Sequence, residues 1–123
     1  MKKIIILIPV YNDWESVNRV INEINKNIKI FDDINFECLI VNDASINQPL
    51  KFNKPKNFES VEILNMRENR GHARCNAFGI RYVLKNKNFD YLILMDGDGE
   101  DRPEEINSLV KKIQENPNIS AVA

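Results

Sequence analysis

Leu92-Ile93-Leu94-Met95-Asp96-Gly97-Asp98-Gly99-Glu100-Asp101 is an apolar run of strand length that ends abruptly in carboxylates separated by glycines. In an open α/β sheet, ligands bind outside the carboxyl ends of the strands, so this junction predicts both a sheet and a site. Residues 96–105 carry six acids (Asp96, Asp98, Glu100, Asp101, Glu104, Glu105) against one base, Arg102. Like charge at that density opposes folding unless solvent or a cation relieves it. Hard divalent cations take oxygen ligands, and Mg²⁺ is often held by one or two carboxylates together with substrate phosphates. The plainer alternative is a solvated acidic loop leading into a helix whose first turn, Pro103-Glu104-Glu105, suits the positive end of the helix dipole.

Moving outward, strand candidates alternate with helical patterns along the chain. Lys3–Val10 is a continuous apolar run, as a parallel strand buried on both faces requires. From Asp13 to Ile30, Trp14, Val17, Val20, Ile21, Ile24 and Ile28 recur at helical spacing. Phe36–Val41 and Val61–Met66 read as strands, with Pro49 and Pro55 opposing a helix between them. Ala73, Ala77, Ile80 and Leu84 mark a helical stripe entered through Asn69-Arg70-Gly71, and the two alanines are expected to let it pack tightly on the sheet. Tyr91–Met95 is a fourth strand, Pro103–Glu115 a third helix, and Ile119–Ala123 the start of another strand. This alternation predicts an α/β fold with a Rossmann-like, doubly wound, mainly parallel sheet. The end of the chain inside a strand-like run predicts an interrupted domain.

The bulk properties narrow the function. With 123 residues the chain is one domain by size, and a net charge of −1 gives no broad basic surface for nucleic acid. Lys2 and Lys3 before Ile4–Val10 mimic a secretion signal. The run is too short and lacks a small-residue cleavage site, and nothing in the sequence reaches membrane-spanning length. Cys38 and Cys75 lack metal-ligand spacing and read as reduced core thiols of a cytoplasmic protein.

Polar signatures fall at the ends of the other predicted strands as well. Pro9-Val10-Tyr11-Asn12 closes the first: Pro9 fixes the direction of the chain, and Tyr11 could offer a ring or hydroxyl to a planar base. Alternatively Tyr11 covers the sheet edge and Asn12 caps the next helix. Asn42-Asp43-Ala44-Ser45 closes the second, and Asp43 could accept a hydrogen bond from a base N–H or, with Ser45, simply organise a turn. After the third, Arg67, Arg70 and Arg74 surround a helix start with Gly71 and His72. Free amides and guanidiniums there favour an anion, or the arginines form a solvated basic face. No catalytic role is assigned to His72. Together the corners describe one crevice with a base pocket, an anion corner and a metal site, which suits a metal-bound nucleoside diphosphate.

The segments Ile8-Pro9-Val10-Tyr11-Asn12, Ile40-Val41-Asn42-Asp43-Ala44-Ser45, Asn69-Arg70-Gly71-His72-Ala73-Arg74-Cys75-Asn76 and Met95–Glu104 resemble, in order, the family 2 glycosyltransferases of GT-A fold. The likeness is strongest to dolichol-phosphate mannose synthase and bacterial polyprenyl-phosphate sugar transferases. The resemblance implies that Pro9, Tyr11 and Asp43 contact a nucleobase, with Arg74 and Asp96 also in the nucleotide site. It further implies that Asp96 and Asp98 position Mn²⁺ or Mg²⁺ on the diphosphate and that Glu100 can join them. The donor would be a UDP- or GDP-linked sugar, transferred with inversion to an acceptor such as a polyprenyl phosphate or a glycan. A lipid acceptor would bring the protein to the cytoplasmic membrane face.

Two departures stand out, since an acidic pair is usual where this chain has Asn42-Asp43 and a glycine where it has Ala44. Family members also continue into an acceptor-binding half that supplies a general base, so the catalytic base is expected beyond residue 123. Without the antiparallel strand that follows in this layout, Tyr91–Met95 would be an exposed edge prone to self-association. Two other classes remain open: a non-catalytic nucleotide-sugar or metal-binding module, and a Mg²⁺-dependent phosphotransfer domain of receiver type. The receiver-type domain would need a lysine on a late strand, which is not found. Replacing Asp43 by alanine is expected to weaken nucleotide binding while leaving the fold intact.

Overall fold

In a computed structural model, residues 2–47, 53–96 and 105–116 are described. Among the described residues four strands, β1 (Lys2–Val10), β2 (Ile34–Asn42), β3 (Ser60–Asn65) and β4 (Tyr91–Leu94), and three helices, α1 (Trp14–Ile28), α2 (His72–Asn86) and α3 (Ile106–Glu115), follow in the order β1-α1-β2-β3-α2-β4-α3. The strands pair in the order β3-β2-β1-β4, and every pair is parallel. This is the Rossmann-like α/β sheet that the alternation of patterns predicts. The strand-like run at 119–123 lies outside the described residues.

The long apolar run of β1 is explained by its place. It lies between β2 and β4 with helices on both faces, so Ile4 to Val10 are all buried. Even-numbered side chains of β1 join Phe36, Cys38 and Ile40 of β2 and the apolar stripes of α1 and α3. Odd-numbered Ile5 and Leu7 join Leu39, Val41 and the α2 residues Cys75 and Val83 on the opposite face. The core is therefore two layers separated by one sheet, as strand alternation dictates.

The buried face of α2 differs from the one the sequence suggests. Cys75, Gly79 and Val83 are buried, whereas Ala73 is exposed, Ala77 only half-buried and Leu84 is 67% exposed. Ile80 packs against this layer as expected, but the face is centred on a glycine, which carries no hydrophobic signal, and so turns away from Ala73 and Leu84. A Cβ at Gly79 would lie 2.6 Å from Leu7 Cδ1 and 2.8 Å from Val41 Cγ2, so the missing side chain is what lets α2 sit close on the sheet.

The amino ends of the strands are held by a charged network. Glu37, 9% exposed, pairs with Lys3 at 2.9 Å and accepts the Ser60 hydroxyl at 2.8 Å. Lys87 lies 3.9 Å from Glu37 and 2.9 Å from Glu62, which also accepts the Tyr82 hydroxyl at 2.5 Å. Lys3 and Asp90 exchange two hydrogen bonds, with the Lys3 amide donating to the Asp90 carboxylate and the Asp90 amide to the Lys3 carbonyl. These contacts leave the opposite, carboxyl edge of the sheet free for loops.

Candidate functional site at the carboxyl edge of the sheet

The chain lays down β1, β2 and β3 in one direction and then crosses back to place β4 on the far side of β1. The strand order thus reverses between β1 and β4, the position at which open α/β sheets form a ligand crevice. Two of the predicted site segments, Pro9–Tyr11 and Asp96, flank that reversal, and Asp43 leaves the next strand along. Continuing the β1–β4 register from Leu7–Leu94 by two residues brings Asp96 level with Pro9, one strand spacing away.

Pro9 is compatible with a central strand for a specific reason. The carbonyl of Leu7 accepts the Met95 amide at 3.0 Å and that of Val10 accepts the Asp43 amide at 2.8 Å. Odd residues of β1 therefore turn their backbone groups toward β4, and even ones toward β2. The amide that Pro9 lacks would point past the last residue of β4, where the ladder has already ended. Tyr11 follows directly and is 39% exposed at the rim.

The exits of β1 and β2 are sewn together by asparagines and a serine. Asn12, at φ 64°, donates its amide to Ser45 Oγ at 2.8 Å, and its Oδ1 accepts the amides of Ile46 at 2.7 Å and Asn47 at 3.0 Å. The helix cap falls instead to Asp13, whose carboxylate accepts the Ser16 amide. Asn42 accepts the Ser45 amide at 3.0 Å and donates to Asn65 Oδ1 at 2.9 Å, linking β2 to the end of β3. Ala44, standing where the resemblance leads one to expect glycine, adopts φ 56°. It keeps the turn that glycine would make, at the steric expense an alanine carries in the left-handed region.

Asp43 is 1% exposed, and its oxygens are in use: Oδ1 accepts the Arg70 amide at 2.8 Å and Oδ2 the Gly71 amide at 2.9 Å. The carboxylate thus moors the loop that enters α2, where Gly71 has φ 86°. Each oxygen retains a second lone pair, so a base contact would share the carboxylate with these amides. A buried side chain with two backbone amides to satisfy cannot be removed without affecting the fold, which changes the expectation for Asp43→Ala. Close by, Cys75 donates to the Val41 carbonyl at 3.3 Å; burial and then the Asp43 charge push its thiol up to about 12. Cys38 is also free and buried, and burial alone pushes it up to about 12. Both are free, buried core thiols, as the sequence leads one to expect.

On the flank of α2, Met66, Arg70, Arg74, Ala77, Phe78 and Arg81 line an open groove of about 280 Å³. Arg70 is held by Glu68 at 2.7 Å, and Arg74 is exposed beside it. The structure therefore brings Pro9, Tyr11, Asp43, Arg74 and Asp96 to one edge of the sheet, with Asp96 half-buried just beyond β4. Asp98 and Glu100 lie outside the described residues, and among the described residues no group of three metal-ligating side chains converges. The asparagine network was not anticipated: bonds from side chain to backbone carry no periodicity, and only the clustering of Asn12, Asn42, Asn47 and Asn65 near predicted strand ends hints at it.

Comparison with known proteins agrees with this architecture. The family described as Glycosyl transferase family 2 matches residues 5–123. An uncharacterized protein of Methanocaldococcus jannaschii is 26% identical over 115 residues, covering 90% of this chain and 47% of that protein. The undecaprenyl-phosphate 4-deoxy-4-formamido-L-arabinose transferase of Proteus mirabilis is 28% identical over 116 residues, covering 94% of this chain and 35% of the enzyme. The chain therefore spans less than half the length of these relatives. In fold it is similar to the crystal structure of S. aureus TarS 1–349, with a TM-score of 0.69 at 19% identity, covering 100% of this chain and 38% of that one. With the family match running through all four strands and the crevice at their carboxyl ends, the chain belongs to glycosyl transferase family 2.

Proposed function

We propose that residues 1–123 form the donor-binding part of an inverting, metal-dependent glycosyltransferase that uses a UDP- or GDP-linked sugar. The observation that supports this reading is the position of Tyr11, Asp43 and Asp96 just past the carboxyl ends of β1, β2 and β4 in a parallel sheet whose strand order reverses there, within a family match over residues 5–123. In this reading the base lies against Pro9 and Tyr11, and its ring N–H shares the Asp43 carboxylate with the Arg70 and Gly71 amides. Arg74 faces the phosphates. Asp96, Asp98 and Glu100 would hold Mn²⁺ or Mg²⁺, and a bound divalent cation supplies charge neutralisation for the departing nucleoside diphosphate. An acceptor oxygen forms the new bond to the anomeric carbon as the bond to the diphosphate breaks, with inversion. A polyprenyl phosphate fits the Proteus mirabilis relative's name, and a glycan is the other acceptor class.

The test is calorimetric titration with UDP, GDP, UDP-glucose, UDP-N-acetylglucosamine and GDP-mannose, each with and without Mn²⁺. Binding of at least one nucleotide that needs the metal and is lost in Asp98→Ala is expected. Failure of every nucleotide, or metal-independent binding that survives Asp98→Ala, overturns the reading. Binding without transfer or hydrolysis would reduce it to a non-catalytic module.

A further inference from the structure

The helix α2 is unlike the rest of the chain in its charge. Between His72 and Asn86 it holds Arg74, Arg81 and Lys85 and no acid, within a protein of net charge −1. Positions 74, 78, 81 and 85 recur at helical spacing and so share one side of the helix. All four residues are exposed, Phe78 by 40%, and none of the three bases pairs with an acid among the described residues. The buried side of α2 is at Cys75, Gly79 and Val83, so the stripe is not needed to hold the helix on the sheet. The bases do not surround a polar cavity: Met66, Ala77 and Phe78 give the groove between them an apolar floor. From Arg74 to Lys85 the stripe runs about 16 Å along the helix axis.

We propose that this flank of α2 docks the protein on an anionic phospholipid surface. Guanidiniums match phosphate esters in bidentate geometry, and Phe78 places an exposed apolar ring among them. The charge of the stripe complements anionic headgroups, while Phe78 and the Met66–Ala77 floor meet the apolar boundary below them. An acidic protein would also satisfy the arginines and is the alternative that the test excludes. The docking rests on Phe78, Arg81 and Lys85 and leaves Arg74 to the donor corner, so it goes beyond donor binding and does not depend on the identity of the nucleotide.

The test is co-sedimentation of the full chain, without nucleotide, on vesicles of phosphatidylcholine alone and of phosphatidylcholine mixed with phosphatidylglycerol. Partitioning onto the mixed vesicles only, weakened by salt, is expected. Arg81→Gln and Lys85→Gln should each lower the partition constant about fivefold, and Phe78→Ser should lower it without changing the salt dependence. These residues lie outside the nucleotide corner, so circular dichroism and nucleotide titration of the same variants report the fold and donor site separately. Equal sedimentation on both vesicle types, or partitioning unchanged in Arg81→Gln/Lys85→Gln, overturns the proposal. No sedimentation together with retention on immobilised polyglutamate overturns it in favour of an acidic protein.

Discussion

Asp43 and Gly71 are joined by a hydrogen bond of 2.9 Å from the glycine amide to a carboxylate oxygen, across 28 residues of chain. The other oxygen holds Arg70 in the same way, so one buried side chain fixes the approach to α2. Asp43→Ala should cost about 2–4 kcal/mol, because two amides in part-buried hydrogen bonds lose their acceptor. Asp43→Asn keeps one acceptor and should cost about half as much. Urea denaturation of the two variants checks the ranking; an alanine variant as stable as the parent would remove the mooring role.

Gly79 is expected to reject even one methyl group. In an exposed helix Gly→Ala gains about 1 kcal/mol from propensity, but here the new Cβ meets Leu7 and Val41 at 2.6 and 2.8 Å. Gly79→Ala should therefore destabilise by about 1–3 kcal/mol as α2 lifts from the sheet. Combining it with Leu7→Ala should give a loss smaller than the sum of the two, since the second change vacates the space the first requires. Thermal unfolding of the four proteins in the cycle tests this.

The turn after β2 offers the opposite sign. Ala44→Gly removes a Cβ from a left-handed residue at φ 56° and should raise stability by about 0.5–1 kcal/mol. Asn12→Ala places alanine at φ 64° and also strips the acceptor from Ile46 and Asn47, so a loss of about 2–3 kcal/mol is expected. A shift in melting temperature of the wrong sign for either variant would contradict the turn geometry.

The network at the amino edge should give the protein an acid-sensitive limb. Burial raises the Glu37 carboxyl, but hydrogen bonds from Lys3 and Ser60 and the charges of Lys3 and Lys87 together hold it below its ordinary 4.5. Glu62 is also lowered: burial raises it, and hydrogen bonds from Tyr82 and Lys87 outweigh that. A carboxyl depressed in the folded state contributes stability above its unfolded value and loses it as pH falls through the folded one. Lys87, raised chiefly by its bond to Glu62, contributes below the ordinary lysine value and loses that contribution in alkali. Urea midpoints measured across the acid range should fall less steeply for Glu37→Gln than for the parent, with the alkaline limb of that variant retained in part through Glu62.

The order of strands and helices was legible because buried parallel strands must be apolar throughout, as Ile4–Val10 is, while α1 must alternate between faces. What the sequence concealed were places where contact is made by absence or by backbone. Gly79 packs without a side chain, and Pro9 fits a central strand only because β4 ends two residues short of it. The direction of Asp43's hydrogen bonds depends on where the Arg70–Gly71 loop passes, and no local pattern records that.

The central place of β1 also governs how the protein is made. Its neighbour β4 is emitted by the ribosome some 87 residues later, as the Lys3–Asp90 bond measures, and no local hairpin can shelter the strand meanwhile. A nascent chain can pair β1 with β2 and cover one face of it with α1 once residue 42 is made, but the edge that β4 takes and the face that α2 covers stay open until those elements follow, so chaperones that shield Ile5 and Leu7 would decide its yield in the cell.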